Sequence, residues 1–353
     1  MIFILFAAKI SIVGGAGAVG SYFSTKLTSC DNEVSIIGKA EKNLKYIKKH
    51  GLKVKTSEGL IHLKPQRFCY VGNLLDAQLP YQDIVIVSLK QPDVTLKVAK
   101  QLKRLSNKET IFIFIGNGLP FYFLKDLRLT KKHLDCIDSD GKIERLFQDN
   151  IIFGMQPFIA AKKTFTGETE ITRPFDKISV IIGSSQNSKA LQKIYEVFEK
   201  ATIPIKTENF HKMTLEKLQF ALAINTLSAI MEKTTGEVFE DPNAQSFIKY
   251  TINILQEISD KINAGHLRDY QTFKVLPITK GHYSSMYNDL KQNRSIEKAA
   301  ILDATLELCE LLNLKNLAPL KRLQAILAAK INGENFNLED FFHLCEASHS
   351  NSA

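Results

Sequence analysis

The sequence predicts an α/β unit followed by an all-helical unit, and two observations carry that prediction. Short apolar runs alternate with amphipathic helical stretches from residue 9 to about 207, and from about 208 the strand signals stop. The runs DIVIVSL (83–89) and TIFIFIGNG (110–118) are continuously apolar, the pattern of parallel strands buried on both faces. A chain of 353 residues is long for one domain and comfortable for two. The expected division is 1–207 and 208–353.

The elements follow in order. KISIVG reads as the first strand, SYFSTKLTS as a helix, and EVSIIG, from Glu33, as the second strand. EKNLKYIKKHG is helical, GLKVKTSEGLIHLKP extended, and DVTLKVAKQLKRL an amphipathic helix between the two strongest strands. Residues 121–150 are polar and turn-rich and read as a loop insertion in the first domain. IIFGMQPFIAAKKTFTGETEITRP and DKISVIIG look antiparallel, and LQKIYEVFEKATIPIKTEN reads as a helix and a last strand. Residues 214–263 and 295–331 read as long amphipathic helices, and the tail SHSNSA as disordered. There are no internal repeats or low-complexity tracts.

Composition narrows the function classes. At 44% hydrophobic residues with 22 Phe, the chain can build real cores and reads as soluble and globular. MIFILFAA falls far short of the ~20 apolar residues that span a bilayer and has no basic stretch before it, so it reads as leading into the first strand. Five scattered cysteines with no CxxC argue against a disulfide framework and fit a reducing cytoplasm. Eight histidines without HExxH-type spacing give no metal site. The net charge of +9 is spread over lysine-rich helix faces without interleaved aromatics. It points to an anionic small ligand, and neither nucleic acid nor membrane is an expected partner.

The segment Gly15-Ala16-Gly17-Ala18-Val19-Gly20 is a GxGxxG that directly follows a strand and opens a helix. In that context the first glycine permits the tight turn, the second lets the backbone approach a diphosphate, and the third lets helix and strand pack closely. The helix N-terminus then offers free N–H groups and a positive dipole end. This makes the first domain a Rossmann-type, doubly wound dinucleotide-binding sheet. At the end of the second strand an acid would select NAD(H); the chain instead has Ile37-Gly38-Lys39-Ala40, and Lys39 would pair with a 2′-phosphate. The expected cofactor is NADP(H).

The stretch LEKLQFALAINTLSAI (215–230) is apolar with a helical period, yet Lys217 and Asn225 lie eight residues apart on roughly one face. Reduction of a ketone builds negative charge on its oxygen, and a desolvated lysine could stabilise that charge and deliver a proton. On pattern alone a helical lysine that snorkels to the surface is the commoner case.

With IVGGAGAVGS, VSIIGK followed by GLKV, VSLKQPD (87–93), IGNGLP (115–120), EKLQFALAINTLSAI and SSMYNDLKQNRSIE (284–297), the chain resembles the ketopantoate reductase (2-dehydropantoate 2-reductase) family over nearly its whole length. The resemblance implies NADPH-dependent reduction of ketopantoate to (R)-pantoate, on the way to pantothenate and coenzyme A. It implies Lys217 as the general acid and Glu297 as the acid that engages the substrate hydroxyl, supports the lysine and lies near the cofactor. Asn117, beside nicotinamide and substrate, Asn225 and Ser285 match substrate-binding positions. Lys90 matches a lysine near the cofactor. The reaction would take place in a cleft between the two halves, and a homodimer is compatible with the chain. Two departures stand out: Ala221 occupies a position one turn after Lys217 that is often Asn in the family, and Lys39 one that is often Arg. A reductase of another 2-keto acid and a non-catalytic NADP(H)-binding sensor are the alternatives.

Overall fold

The computed structural model describes residues 7–172, 178–184, 188–269 and 281–350. The chain forms two compact units, Met1–Gly116 with Arg145–Phe210, and Asn117–Glu144 with His211–Ala353.

The first unit is built on an eight-stranded sheet in the order β12-β11-β8-β7-β6-β1-β2-β5. Its strands are β1 (Lys9–Val13), β2 (Glu33–Gly38), β5 (Tyr70–Asn73), β6 (Ile84–Val87), β7 (Ile111–Ile115), β8 (Ile151–Pro157), β11 (Val180–Ser184) and β12 (Ile205–Asn209). All pairs are parallel except β8 with β11. The apolar runs behave as expected of strands covered on both faces: the consecutive residues Ile84, Val85, Ile86 and Val87 of β6, and Ile111, Phe112 and Ile113 of β7, are all buried. A second sheet has the order β4-β3-β10-β9, from β3 (Leu52–Thr56), β4 (Gly59–Leu63), β9 (Ala161–Lys163) and β10 (Glu168–Ile171). Within the stretch expected to be antiparallel, β8 with β11 and β9 with β10 are so, but β10 also runs parallel beside β3.

The second unit is helical, and it includes a segment that the sequence placed elsewhere. Residues 121–150 read as a loop insertion of the first domain, but Asn117–Glu144 belongs to the second unit. Buried apolar side chains and hydrogen bonds to residues far along the chain tie it there. Phe121, Phe123, Leu124 and Leu134 are fully buried, and the Phe123 carbonyl sits 2.9 Å from His211 Nε2. Glu307 accepts from the backbone N–H of Asp135 (2.8 Å) and Cys136 (3.0 Å) and from Lys131 Nζ (2.8 Å).

The two long helices expected are each broken. The first runs Phe210–Phe220, passes through a π-turn at Ala221–Asn225, and continues over Thr226–Met231. Glu232, at φ +57°, ends it. Thr234 and Glu237 then form a reciprocal capping box for Thr235–Glu240, and Asp241 caps Pro242–Lys261. The second is divided into a π-turn at Ala299–Asp303, Ala304–Leu311, and Ala318–Asn332, which begins after a break. A further helix, Glu339–Ser350, takes up half of the tail expected to be disordered; residues 351–353, like the N-terminal residues 1–6, lie outside the described residues. All five cysteines are free thiols. Among the described residues no helix is long and apolar enough to cross a membrane, and no cluster of ligating side chains suits a metal ion.

Candidate active site

In the first unit the glycine loop lies at the C-terminal end of β1. Gly14, one residue before the GxGxxG, makes the turn at φ +87°, and its N–H donates to the Ile37 carbonyl at 2.7 Å. A Cβ there would stand 2.2 Å from the Ser88 carbonyl oxygen. The helix Ala18–Thr28 starts at Gly17, with no side-chain cap and no acid in its first turn. A Cβ on Gly20 would lie 2.1 Å from the Gly14 oxygen, so helix and loop backbones touch directly. From beneath, Ser21 Oγ donates to the Gly17 carbonyl (2.5 Å) and Ser24 Oγ to the Gly15 carbonyl (3.1 Å). Gly15 and Ala16 are buried, while Gly17, Ala18 and Val19 keep part of their surface. An uncapped helix N-terminus behind a glycine turn fits a dinucleotide diphosphate.

Lys39 follows the last residue of β2 and is exposed. It pairs with Asp93 at 2.7 Å. Lys90, partly buried, precedes the single 3₁₀ turn Gln91–Asp93 after β6.

In the second unit the remaining residues come together from distant parts of the sequence. Gly118 adopts φ +81°, and a Cβ on it would meet the Ala300 carbonyl oxygen at 2.4 Å. Leu119 N–H donates to that same oxygen at 2.8 Å. This close approach sets Asn117 against Glu297: the Asn117 amide donates to Oε2 at 2.9 Å and its backbone N–H to Oε1 at 3.4 Å. Glu297 is buried. Arg294, the surface partner Glu297 could have had, pairs instead with the buried Asp289 at 3.0 Å.

Lys217 keeps some exposed surface on its residue, but packing around its ammonium group lowers its pKa below the ordinary lysine value. The Glu297 carboxylate acts in the opposite direction, holding the proton on. Asn225 closes the π-turn and is buried. Its carbonyl accepts from Ser284 Oγ at 3.0 Å. Ser284, not Ser285, caps Ser285–Lys291, accepting from Tyr287 N–H at 3.1 Å. Ser285 stands exposed in the first turn of that helix. Both π-turns adjoin this group, one ending at Asn225 and one beginning two residues after Glu297.

The family model "Ketopantoate reductase PanE/ApbA" matches residues 10–122, and its C-terminal counterpart matches residues 209–330. The chain belongs to the ketopantoate reductase family. The 2-dehydropantoate 2-reductase of Aquifex aeolicus (strain VF5) is 26% identical over 309 residues, 84% of this chain and 89% of that protein. The enzyme of the same name from Mesorhizobium japonicum is 24% identical over 91% of this chain and 96% of its own length. In fold, the chain is similar to a ketopantoate reductase-type structure from Ralstonia solanacearum, at TM-score 0.80 and 20% identity over 94% of this chain and all of that one. It is also similar to D-mandelate dehydrogenase solved with NADH and anilino(oxo)acetate, at TM-score 0.75 and 19% identity over 92% and 99% of the two chains.

Three residues of this ketopantoate reductase relative escaped the sequence reading. Gly14 was signalled by the Gly-Gly pair at the strand end, since a second glycine there points to a positive φ or a close backbone approach, and here to both. Ser284 was signalled by the serine pair ahead of an apolar turn. Asp93 carried no local signal, because its partner Lys39 is 54 residues away.

Proposed function

We propose that this chain is an NADPH-dependent 2-dehydropantoate 2-reductase, forming (R)-pantoate for pantothenate and coenzyme A synthesis in the cytoplasm. The observation that carries the reading is the buried Glu297 carboxylate held by Asn117 and coupled to the desolvated Lys217. Bound NADPH supplies the hydride. The chain's own groups supply the rest. Lys217 donates a proton to the ketone oxygen as negative charge builds there, and burial makes that proton easier to release. Glu297 opposes the loss of charge on Lys217 before substrate arrives and accepts from the substrate hydroxyl. Asn225 and Ser285 bind the polar end of the substrate, and Asn117 holds the Glu297 carboxylate and would contact the nicotinamide. Gly15, Ala16, Gly17, Ala18, Val19 and Gly20 would hold the diphosphate, Lys39 would take the 2′-phosphate, and Lys90 would contact the cofactor.

The test is NADPH oxidation followed at 340 nm with ketopantoate, run beside Lys217→Ala. Turnover by the wild type that is lost in the variant, with NADPH binding retained, supports the assignment. NADPH binding with no turnover of ketopantoate would remove it. One observation favours a second reading, another 2-keto acid. Ala221 is fully buried one turn from Lys217 and offers no amide to a substrate. A panel of keto acids ranked by kcat/KM separates the two.

A further inference from the structure

We propose that Asp93 governs the choice between NADPH and NADH, working against Lys39; this rests on the dinucleotide reading above. β6, β1 and β2 are neighbours in the sheet, in that order. The glycine loop at the end of β1 is fastened to both flanks: Gly14 N–H to the Ile37 carbonyl on β2, and Ser88 N–H, just after β6, to the Val13 carbonyl (2.7 Å). Lys39 stands just beyond β2 and Asp93 just beyond β6, and their 2.7 Å ion pair therefore bridges the two strand ends that flank the loop.

The end of β2 is where a dinucleotide fold meets the adenosine ribose. A lone lysine there would recruit the 2′-phosphate. In this chain that lysine is already matched by a carboxylate, and the two partners are unequally held. The Lys39 side chain is 77% exposed, whereas that of Asp93 is only 26% exposed. The Asp93 main chain is held in a turn, its N–H donating to the Lys90 carbonyl at 2.9 Å after the rigid Pro92. The long lysine can swing toward a ligand, while the short Asp93 side chain, on a held backbone, stays within reach of the same place.

A 2′-phosphate bound by Lys39 must then separate the ion pair and accept a fixed negative charge beside its own. The diol of NADH meets no such repulsion, and the same carboxylate can accept its hydroxyl hydrogens. Asp93 thus lowers the preference for NADPH that Lys39 creates and admits NADH as an alternative reductant.

The experiment measures the dissociation constants of NADPH and NADH directly, by the fluorescence of the bound reduced nicotinamide, for wild type, Asp93→Asn, Asp93→Ser and Lys39→Gln. Both Asp93 variants are expected to bind NADPH about fivefold more tightly and NADH no better than wild type, in line with an exposed charge pair. Lys39→Gln is expected to weaken NADPH alone. An NADPH-to-NADH affinity ratio unchanged within twofold in both Asp93 variants, with both nucleotides still bound, would overturn the proposal and leave the dinucleotide reading standing. Failure of the wild type to bind either nucleotide would overturn both.

Discussion

The first unit makes its candidate diphosphate site out of main chain, in seven consecutive residues from Gly14 to Gly20, whereas the second unit gathers side chains from positions 117, 217, 284 and 297, with the Asn225 carbonyl held by Ser284. The two constructions fail in different ways. A backbone site has no side chain to delete, and it is damaged by adding atoms, which forces the loop off its neighbours. A side-chain site tolerates the loss of atoms structurally and loses chemistry. Variants that add or remove atoms at each place therefore separate stability from activity.

The largest effect is expected at Lys217. Lys217→Ala should lower kcat by about 10²–10⁴, the usual contribution of a positioned proton donor, with the NADPH dissociation constant unchanged. Lys217→Met should lose activity equally without a fall in Tm, because it removes a desolvated ammonium from packed surroundings. The opposite split is expected at Gly14→Ala. Its φ of +87° and the Ser88 oxygen at 2.2 Å should together reduce stability by about 3 kcal/mol, read as a lower Tm, before any assay of function.

Asn117→Ala lies between these. It removes the 2.9 Å amide hydrogen bond to Glu297, and kcat should fall by about tenfold to a hundredfold, with little change in Tm. The pH profile sharpens the same point. In the reducing direction the proton donor must be protonated, so the rate should fall as pH rises through the Lys217 pKa, which burial places below 10.5. Removing the opposing carboxylate in Glu297→Gln should move that alkaline limb to still lower pH, measured as kcat/KM against pH in either case.

The smallest effect is expected at an exposed ion-pair cluster. Glu232 is paired with Lys291 (2.8 Å) and Lys330 (2.5 Å), and these hold its carboxyl at about 2. Its folded pKa lies below the ordinary value of 4.5, so its contribution is complete above 4.5 and is lost as pH falls from there to about 2. For an exposed group this is a small term, and Glu232→Gln should flatten that part of the curve of Tm against pH.

The same contrast governs how much could be read from the sequence. The central strands announced themselves, because Ile84–Val87 and Ile111–Ile115 are apolar at every position. The glycine loop did so too, since its function resides in a contiguous pattern. β5 did not, as Tyr-Val-Gly-Asn is short and half polar, and neither did the departure of β10 to pair with β3, which no local pattern encodes. The stretch 121–150 reads as an insertion of the first domain because its lysines and aspartates outweigh, in composition, the few buried phenylalanines and leucines, yet all of it up to Glu144 falls in the second unit. The side-chain site was legible only through family resemblance. Lys217 and Glu297 are 80 residues apart, and helical periodicity says nothing about a pair so distant.

The π-turn at Ala221–Asn225 has a consequence in genetics. A π-turn holds one residue more than the α-helix needs to keep its flanks in phase. Deleting a single codon inside 221–225 would therefore restore a plain helix while Lys217 on one side and Thr226–Met231 on the other keep their facing. The change would fall within the turn itself, on Asn225 and its immediate neighbours. A codon deletion inside a wholly buried helical segment is ordinarily ruinous; here the bulge makes it a local edit, and the second bulge at Ala299–Asp303 provides the same opening beside Glu297. Evolution could alter what this site accepts by changing length as well as by substitution.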